Sequence, residues 1–302
     1  MKDLIFALLL DTGDGERDAL RLANSIRTFG GEYCFNPIWM LSRHDEEDFS
    51  EETRQALFST GVRLVTFERE PGETHFPFVD YVTAAALAEG LAQGETRCLV
   101  MMACDTLVLQ PPSSFVLAAG KSFGGCAVHL KLLGSGVSEP VNDFWSLIYR
   151  NCHVEGERIF TMQTIVDEQP VRAYFNAGLL VVRPERGLLR GWQANFERLR
   201  GLPEFEPFYQ QSELYSIFMH QTVLAGSLLS ALNPDEFQQF PFTVNYPLHL
   251  HSKVSEKRRP THLEQLITCR YEEFSETFND PSIEDMLRAD TTLKGWLEAQ
   301  AT

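Results

Sequence analysis

The sequence predicts an α/β fold with a mostly parallel sheet flanked by helices, followed by a less regular half of mixed α and β structure. Apolar segments of strand length alternate with amphipathic segments of helix length over the first 105 residues, in the order β-α-β-α-β-α-β. Uninterrupted apolar runs are typical of strands buried on both faces of a parallel sheet, and the alternation implies right-handed crossovers. With 302 residues and no linker or internal repeat, the chain is expected to form one compact domain.

The front half contains four strands and three helices. The first strand is expected over Leu4–Leu10. The first helix runs from about Glu16 to Phe29, because its apolar residues recur at helical spacing and a glycine pair follows. The other expected elements are strands at 34–41, 62–67 and 97–103 and helices at 50–60 and 78–92.

The back half is less periodic. Extended segments are expected near 125–132, 171–182 and 242–253, helices at 143–150, 188–199, 215–231 and 282–299, and a loop at 204–211. These elements are too short and too mixed to extend the parallel pattern, which is why we expect an elaborated α+β arrangement here.

The composition argues against several classes of partner. Lys and Arg total 26 against 42 Asp and Glu, which gives a formal net charge of −16. Such an acidic chain repels phosphate backbones, so nucleic acid is not an expected partner. No apolar stretch approaches the length of a membrane span. The six cysteines are scattered without metal-ligand spacing, and together these features predict a soluble cytoplasmic protein with reduced thiols.

Familiar catalytic signatures are absent or misplaced. Leu10-Asp11-Thr12-Gly13 is similar to the catalytic triplet of aspartic proteases, but Asp14 and a helix follow where those enzymes need a small residue and strands. No G-x-G-x-x-G segment follows a predicted strand, and neither a Walker A lysine motif nor a G-x-S-x-G elbow is present. Dinucleotide dehydrogenases, P-loop enzymes and α/β-hydrolases are therefore disfavoured.

One carboxylate stands just beyond the fourth predicted strand. The segment Leu99–Pro112 contains this apolar strand, then Asp105, a second short apolar strand and a proline pair. It resembles the segment around the D-x-D motif of nucleotide-diphospho-sugar transferases with the GT-A fold, especially the glycogenin-like glycosyltransferase family 8. In that family the two acids hold a divalent cation against the donor diphosphate. Asp105 matches the second acid and Ala103 replaces the first; taken alone, Asp105 equally suits a capping role.

The segment Tyr174–Pro184 resembles the N-[AS]-G strand of the same families. Glycine lets a ligand approach the backbone, and a carboxamide both donates and accepts hydrogen bonds to sugar hydroxyls. The resemblance implies that Asn176, Ala177 and Gly178 bind the donor sugar and that Asn176 is also a candidate catalytic residue. Taken alone, the three residues equally suit a β-bulge.

The predicted helix over 215–231 carries His220-Gln221-Thr-Val-Leu224, which resembles the D-Q-x-x-L segment of these enzymes. The resemblance assigns Gln221 to sugar binding and catalysis, and it places His220 where the family has an acid near the anomeric carbon. A histidine can hydrogen-bond a sugar or serve as acid or base, so His220 is a further catalytic candidate. The alternative is a buried structural histidine.

The segment Asn245–Lys253 falls where family 8 has an H-x-G-x-x-K element. Strand alternation would put His249, His251 and Lys253 on one face. The resemblance implies that His251 joins Asp105 in a site for Mn²⁺ or Mg²⁺ and that Lys253 contacts the diphosphate. Otherwise, two histidines at this spacing on an edge strand face solvent.

These segments follow one another in the order that the family uses, over about residues 4–255. The whole chain, 1–302, is therefore identified as a single GT-A-like, Rossmann-like domain. Residues 1–110 would form the nucleotide-binding half, 111–255 the half for donor sugar and acceptor, and 256–302 a helical C-terminal extension. Asp11 and Thr12, after the first strand, are expected near the base or ribose.

The resemblance implies a glycosyltransferase of the hexosyltransferase type. It would bind a nucleotide sugar and transfer the sugar to a sugar, lipid or protein acceptor. Ala103 and His220 stand where the family has acids, which favours the alternative of a non-catalytic nucleotide-sugar-binding or scaffold protein that keeps the fold. A hydrolase or phosphotransferase on a similar sheet is the third hypothesis.

Overall fold

The computed structural model describes residues 2–68, 76–287 and 291–300. Twelve strands lie in these ranges: β1 (Lys2–Leu9), β2 (Ile38–Ser42), β3 (Arg63–Thr66), β4 (Thr96–Met102), β5 (Thr106–Val108), β6 (Phe123–Ala127), β7 (Thr161–Gln163), β8 (Pro170–Arg172), β9 (Phe175–Val182), β10 (Phe237–Gln239), β11 (Tyr246–Pro247) and β12 (Thr268–Arg270). Ten α-helices lie in the same ranges: α1 (Asp14–Phe29), α2 (Glu51–Thr60), α3 (Val79–Ala92), α4 (Asp143–Asn151), α5 (Leu188–Arg200), α6 (Glu206–Gln211), α7 (Glu213–Ala231), α8 (Phe274–Phe278), α9 (Pro281–Leu287) and α10 (Thr291–Gln300).

Seven of these strands form the central sheet, in the order β10-β6-β9-β4-β1-β2-β3. Neighbouring strands are parallel except at β9, which is antiparallel to both β4 and β6. Helices cover the sheet, and the front half follows the order β-α-β-α-β-α-β. The predicted α/β fold with a mostly parallel sheet is confirmed.

Strand β1 shows why the front half folds in this way. Its side chains alternate between two apolar layers: Leu4, Phe6 and Leu8 pack with α1, whereas Ile5 and Ala7 pack with α3. All five are at most 2% exposed. Apolar burial stabilises the fold by about 25 cal/mol per Å² removed from water, so this strand needs helices over both of its faces.

Several strands of the central sheet end along the same edge of the sheet. Strands β1, β2, β4 and β6 all end there, and β9 begins there because it runs in the opposite direction. Strand β1 lies between β2 and β4, so the chain winds to one side of β1 first and to the other side later. Open α/β sheets bind ligands beyond such a point. Asp11, Ala103, His129 and Asn176 lie at or just beyond these strand ends.

The end of the chain returns to this edge in a second, three-stranded sheet. Strand β12 lies between β11 and β5, and it is antiparallel to β5 with Arg270 opposite Thr106. A separate apolar cluster joins this sheet to α8, α9 and α10. The extension predicted over 256–302 contains the helices α8, α9 and α10 and in addition the strand β12, which pairs with β5 beside Asp105.

The prediction of an extended conformation over 242–253 is wrong. The structure has the two-residue strand β11, followed by a 3₁₀ helix over the last six residues of the stretch. Buried residues recur at every third position, at Leu248, His251 and Val254. That spacing matches the three residues per turn of a 3₁₀ helix and not the two-residue period of a strand. The two histidines of the stretch therefore do not share a face, and Lys253 is exposed.

One further prediction of local structure needs correction. The stretch 204–211, predicted as a loop, forms a 3₁₀ turn and α6, because Pro203 and Pro207 occupy first-turn positions. A proline is tolerated there since the missing N–H has no partner within the helix. The single helix predicted over 282–299 is described in two helical stretches, α9 and α10, and residues 288–290 between them lie outside the described residues.

Helix α7 is the long helix of the back half, with 19 residues. Residues 219–229 are buried throughout, which is the pattern of a helix in the centre of a domain. Among the described helices, none is both long and apolar enough to cross a membrane. The position of α7 matters for the site because His220 and Gln221 lie at its middle.

Candidate functional site

A cleft of about 420 Å³ opens at the edge of the central sheet where β4 ends and β9 begins. A cavity of this size accommodates a small-molecule ligand. Its polar lining consists of Tyr81, Asp105, His129, Tyr174, Asn176, His220, Gln221, His249, Arg270 and Glu272. Its larger aliphatic and phenylalanine side chains are Phe78, Val128, Leu130, Leu132, Ile217, Phe218 and Leu250.

An ion pair between distant parts of the chain lies in the cleft. Arg270 Nη2 donates a hydrogen bond to Asp105 Oδ2 at 2.5 Å, and the two side chains are 20% and 17% exposed. The backbone fixes this arrangement, because β12 pairs with β5 and the N–H of Tyr271 donates to the Asp105 carbonyl at 3.0 Å. Burial by itself lowers the pKa of Arg270, but the Asp105 carboxylate more than offsets this and raises the pKa. The cleft therefore holds a permanently charged guanidinium in a fixed place.

Gly178 leaves room for that guanidinium. A Cβ atom at position 178 would overlap Nη1 of Arg270 and would lie 2.9 Å from Asn176 Oδ1. The Gly178 N–H donates to Asn176 Oδ1 at 2.8 Å, and the Gly178 carbonyl accepts from the N–H of Ala103 at 2.9 Å. The sequence predicts a ligand close to this glycine, whereas in the structure the Arg270 side chain occupies part of that space.

The start of β9 is held by side chains from two helices. Gln221 Oε1, from α7, accepts a hydrogen bond from the Ala177 N–H at 3.0 Å, and the Tyr81 hydroxyl, from α3, donates to the Ala177 carbonyl at 2.8 Å. Asn176 uses its oxygen for the Gly178 N–H, so it presents its amide nitrogen as a donor to the cleft. These bonds fix the orientation of both carboxamides before any ligand binds.

Three histidines line the cleft, and burial keeps them neutral at pH 7. Burial lowers the pKa of His129 and of His220 to about 3 each, and it also lowers the pKa of His249. His220 Nδ1 lies 2.9 Å from the carbonyl oxygen of Ile217, and its ring packs against Phe78 with 4.2 Å between centroids. A role as general acid at pH 7 does not fit this pKa, and the roles of His220 as a hydrogen-bonding group or a base stay predictions.

The structure brings six of the ten predicted site residues into the cleft: Asp105, Asn176, Ala177, Gly178, His220 and Gln221. Asp11 and Thr12 are exposed beyond the end of β1 and do not line the cleft; Asp11 Oδ1 lies 3.1 Å from His44 Nε2. Lys253 is exposed at the end of the 3₁₀ helix and does not line the cleft. The nucleotide-binding roles of these three residues stay predictions.

The fourth residue outside the cleft is His251, the predicted metal partner of Asp105. Its Nδ1 lies 3.0 Å from the Tyr246 hydroxyl, and it lines a smaller second cleft that does not include Asp105. Nowhere in the described ranges do three His, Cys, Asp or Glu side chains come together as a metal site. One oxygen of Asp105 is already bound to Arg270, and Ala103 has no donor atom in its side chain. These residues do not fit the Mn²⁺ or Mg²⁺ site that the sequence predicts.

The most important residue that the sequence reasoning misses is Arg270. It lies 165 positions after Asp105 and belongs to no recognised motif. A usable signal is the stretch 267–271, whose β-branched and aromatic residues suit a strand. Even a correct strand prediction would not have revealed its pairing partner, because register between distant strands is set by tertiary packing.

Similarity to solved structures supports the fold. The chain is similar to the glycosyltransferase GlyE of Streptococcus pneumoniae TIGR4, with 12% sequence identity and a TM-score of 0.55, over 100% of this chain and 61% of GlyE. It is also similar to the galactosyltransferase LgtC in complex with donor and acceptor sugar analogues, with 12% identity and a TM-score of 0.51, over 99% of this chain and 95% of LgtC. The chain thus spans about three-fifths of the length of GlyE. At such identities the likeness concerns the fold alone, which is of the GT-A type.

Sequence comparison identifies the family. No curated protein matches the chain significantly. A family model, the Rhodobacterales glycosyltransferase domain, matches residues 6–224. This range contains Asp105, Gly178 and Gln221 and ends before Arg270. Because the match covers well over half of the chain, the protein belongs to the Rhodobacterales glycosyltransferase family.

Proposed function

We propose that this protein binds a nucleotide-diphosphate sugar across the edge of its central sheet and transfers the sugar to an acceptor. The observation that carries the proposal is the convergence of the Asp105–Arg270 pair, Asn176 and Gln221 on one cleft at the edge where open α/β sheets bind ligands. Membership of a glycosyltransferase family supports sugar transfer in general. LgtC was solved with donor and acceptor sugar analogues, which supports the same two kinds of ligand here.

The polar groups of the cleft suit a sugar ring. Asn176 presents an amide donor, and the neutral histidines present ring nitrogens that accept or donate hydrogen bonds according to tautomer. Gln221 accepts a hydrogen bond from the N–H of Ala177 and so fixes the backbone next to Asn176. Groups that are fixed before the ligand arrives bind without the entropic cost of ordering side chains. Asn176, Ala177 and Gly178 would contact the sugar, as the family resemblance implies.

Transfer requires that the departing nucleoside diphosphate be stabilised and that the acceptor be aligned with the anomeric carbon. Preorganised donors that face the developing charge supply the first requirement, and a shaped cleft supplies the second. The three histidines of the cleft are neutral at pH 7 because burial lowers the pKa of each, so none of them serves as a general acid there. The proposal therefore rests on electrostatic stabilisation and alignment.

Among sugar, lipid and protein acceptors, the mouth of the cleft favours a sugar attached to an apolar group. Phe78 and Leu132 line the cleft and are 39% and 55% exposed. Exposed apolar side chains beside a binding cleft mark a place for an apolar part of a ligand. Faster transfer to an alkyl glycoside than to the same free sugar would support this acceptor class, and equal rates would contradict it.

A non-catalytic nucleotide-sugar-binding protein is the second candidate. Ala103 supplies no carboxylate and His220 is an uncharged imidazole at neutral pH where the resemblance expects an acid, and both facts favour binding without transfer. The two candidates differ in whether a bound donor is consumed when acceptors are supplied. Release of free sugar from the donor in the absence of acceptor would instead favour the hydrolase hypothesis.

Donor binding is the decisive experiment. The purified protein is titrated by calorimetry with UDP-, GDP-, CMP- and dTDP-sugars, each with and without Mn²⁺. We expect saturable binding of at least one sugar nucleotide that carries a diphosphate, followed by product formation with an acceptor panel. If no member of the panel binds in either condition, the proposed function is wrong and the fold alone remains.

A further inference from the structure

We infer that Arg270 takes the place of a divalent cation: its guanidinium, anchored by Asp105 and seated over Gly178, binds the donor diphosphate without metal. This inference rests on the proposed function, since it names the group that receives the diphosphate. It also explains why the end of the chain returns to the edge of the central sheet.

The first argument concerns the positive charge available in the cleft. Of the described residues that line it, Arg270 is the one Lys or Arg side chain. His129 and His220 are neutral because burial lowers the pKa of each to about 3, and Lys253 is exposed outside the cleft. A diphosphate carries at least two negative charges, and the protein has a net charge of −16. A cation within the cleft favours binding of such an anion by an otherwise acidic protein.

The second argument concerns the geometry of the guanidinium. Arginine has five N–H donors in a planar fork that matches phosphate oxygens. The bond to Asp105 uses Nη2, while Nε is buried without a hydrogen-bond partner among the described residues. Asp105 therefore holds the group in place and leaves further donors unused. Gly178 supplies the space that a larger residue would fill.

The third argument concerns the ligands that a metal would need. Mn²⁺ and Mg²⁺ require several oxygen donors. At this position the structure offers one carboxylate, of which one oxygen is bound to Arg270, and Ala103 offers none. A divalent ion beside Asp105 would also be repelled by the neighbouring guanidinium. The negative charge of Asp105 is thus balanced by the guanidinium of Arg270.

Calorimetric titration with UDP, GDP and dTDP tests the inference, with EDTA in one series and Mn²⁺ in the other. We expect the dissociation constants of the wild-type protein to agree within about twofold between the two series. Arg270→Gln should weaken binding by about 10- to 100-fold, the range for loss of one charged hydrogen-bonded contact, and Arg270→Lys by less. Arg97→Gln is the matched control. It breaks a 3.1 Å pair with Asp3 at the opposite edge of the same sheet and should leave binding unchanged.

A second variant is needed because Arg270→Gln leaves the Asp105 carboxylate unpaired, and weaker binding could then result from misfolding. The double variant Asp105→Asn, Arg270→Gln removes both charges, and a cooperative thermal transition would show that it is folded. The inference predicts that this folded protein also binds nucleoside diphosphates at least about 10-fold more weakly.

Three outcomes are decisive. If wild type binds nucleoside diphosphates in Mn²⁺ but not in EDTA, the inference is overturned and the proposed function stands. Binding by the folded double variant that equals wild type also overturns it. If no nucleoside diphosphate binds in either series, both the inference and the proposed function fail.

Discussion

Arg270 and Asp105 are 165 positions apart in the chain, yet Nη2 of one lies 2.5 Å from Oδ2 of the other. The pair joins the residue just before β5 to the last residue of β12, and it lies beside Gly178. The negative charge of the Asp105 carboxylate, which follows the central strand β4, is thereby neutralised by another residue of the protein. Several properties of the fold and the cleft depend on this contact.

Removing the carboxylate should destabilise the protein. Asp105→Ala leaves a guanidinium unpaired in a site that is one-fifth exposed, and we expect the free energy of unfolding to fall by about 2–4 kcal/mol, somewhat less than for a fully buried pair. Urea denaturation measures this change. Asp3→Ala, which breaks the more exposed pair with Arg97, should cost less than about 1 kcal/mol. Equal losses in the two variants would mean that the Asp105–Arg270 pair has no special structural role.

Gly178→Ala should displace Arg270. The added methyl group would overlap Nη1, so the guanidinium must move, and we expect a stability loss of about 1–3 kcal/mol together with weaker binding of nucleoside diphosphates. Gly191→Ala is the matched control, since its Cβ would lie in open space on α5. It should stabilise the protein slightly, by up to about 1 kcal/mol, because alanine favours helix. Unchanged diphosphate binding in Gly178→Ala would contradict the role assigned to this glycine.

Gln221 should act on the sugar through the backbone of β9. Gln221→Ala removes the acceptor of a buried N–H and should lower the free energy of unfolding by about 1–3 kcal/mol. Gln221→Glu keeps an acceptor oxygen and should lose less. Calorimetry with a nucleotide sugar and with its nucleoside diphosphate separates the two parts of the donor. We expect Gln221→Ala to weaken the first more than the second; equal weakening would argue against a sugar-positioning role.

Burial of His220 should make stability depend on pH. Its pKa is about 3 in the folded protein and near 6.5 when unfolded, so below pH 6.5 the unfolded chain binds the extra proton. Through His220 alone, stability is complete above about pH 6.5 and falls by about 1.4 kcal/mol per pH unit as the pH drops toward 3; His129, whose pKa is also about 3, adds a similar slope. Urea denaturation between pH 7 and 4.5 should show this slope reduced in His220→Gln. His153→Asn, at an exposed histidine, should keep the wild-type slope. A wild-type slope in His220→Gln would contradict the prediction.

The parallel front half was predictable because its signals are local. The apolar run of β1 requires cover on both faces, and the spacing of apolar residues in α1 supplies one of the covering helices. Asp105, Asn176 and Gln221 were identified through motifs, and the fold then brought them together. In each case residues close in sequence carried the information.

The predictions from sequence fail in two situations. In one, the local sequence pattern fits two kinds of secondary structure; in the other, it carries no information about a contact between distant residues. The sequence from Leu248 to Val254 fits both a two-residue and a three-residue period, and burial of every third residue decided for the 3₁₀ helix. His251 consequently lies in a different cleft from Asp105. Arg270 was missed because no local pattern encodes its contact with a residue 165 positions away.

The pairing of β5 with β12 also orders the assembly of the protein during translation. At about 5–20 residues per second, the ribosome would add Arg270 roughly 8–33 s after Asp105, since 165 residues separate them. Over that interval the nascent chain carries the carboxylate at the end of β4 without its counter-charge, and Gly178 emerges before the side chain that rests on it. The Asp105–Arg270 pair is therefore completed late in synthesis, so a polypeptide that stops before β12 would contain the range matched by the family model and still lack the guanidinium of its cleft.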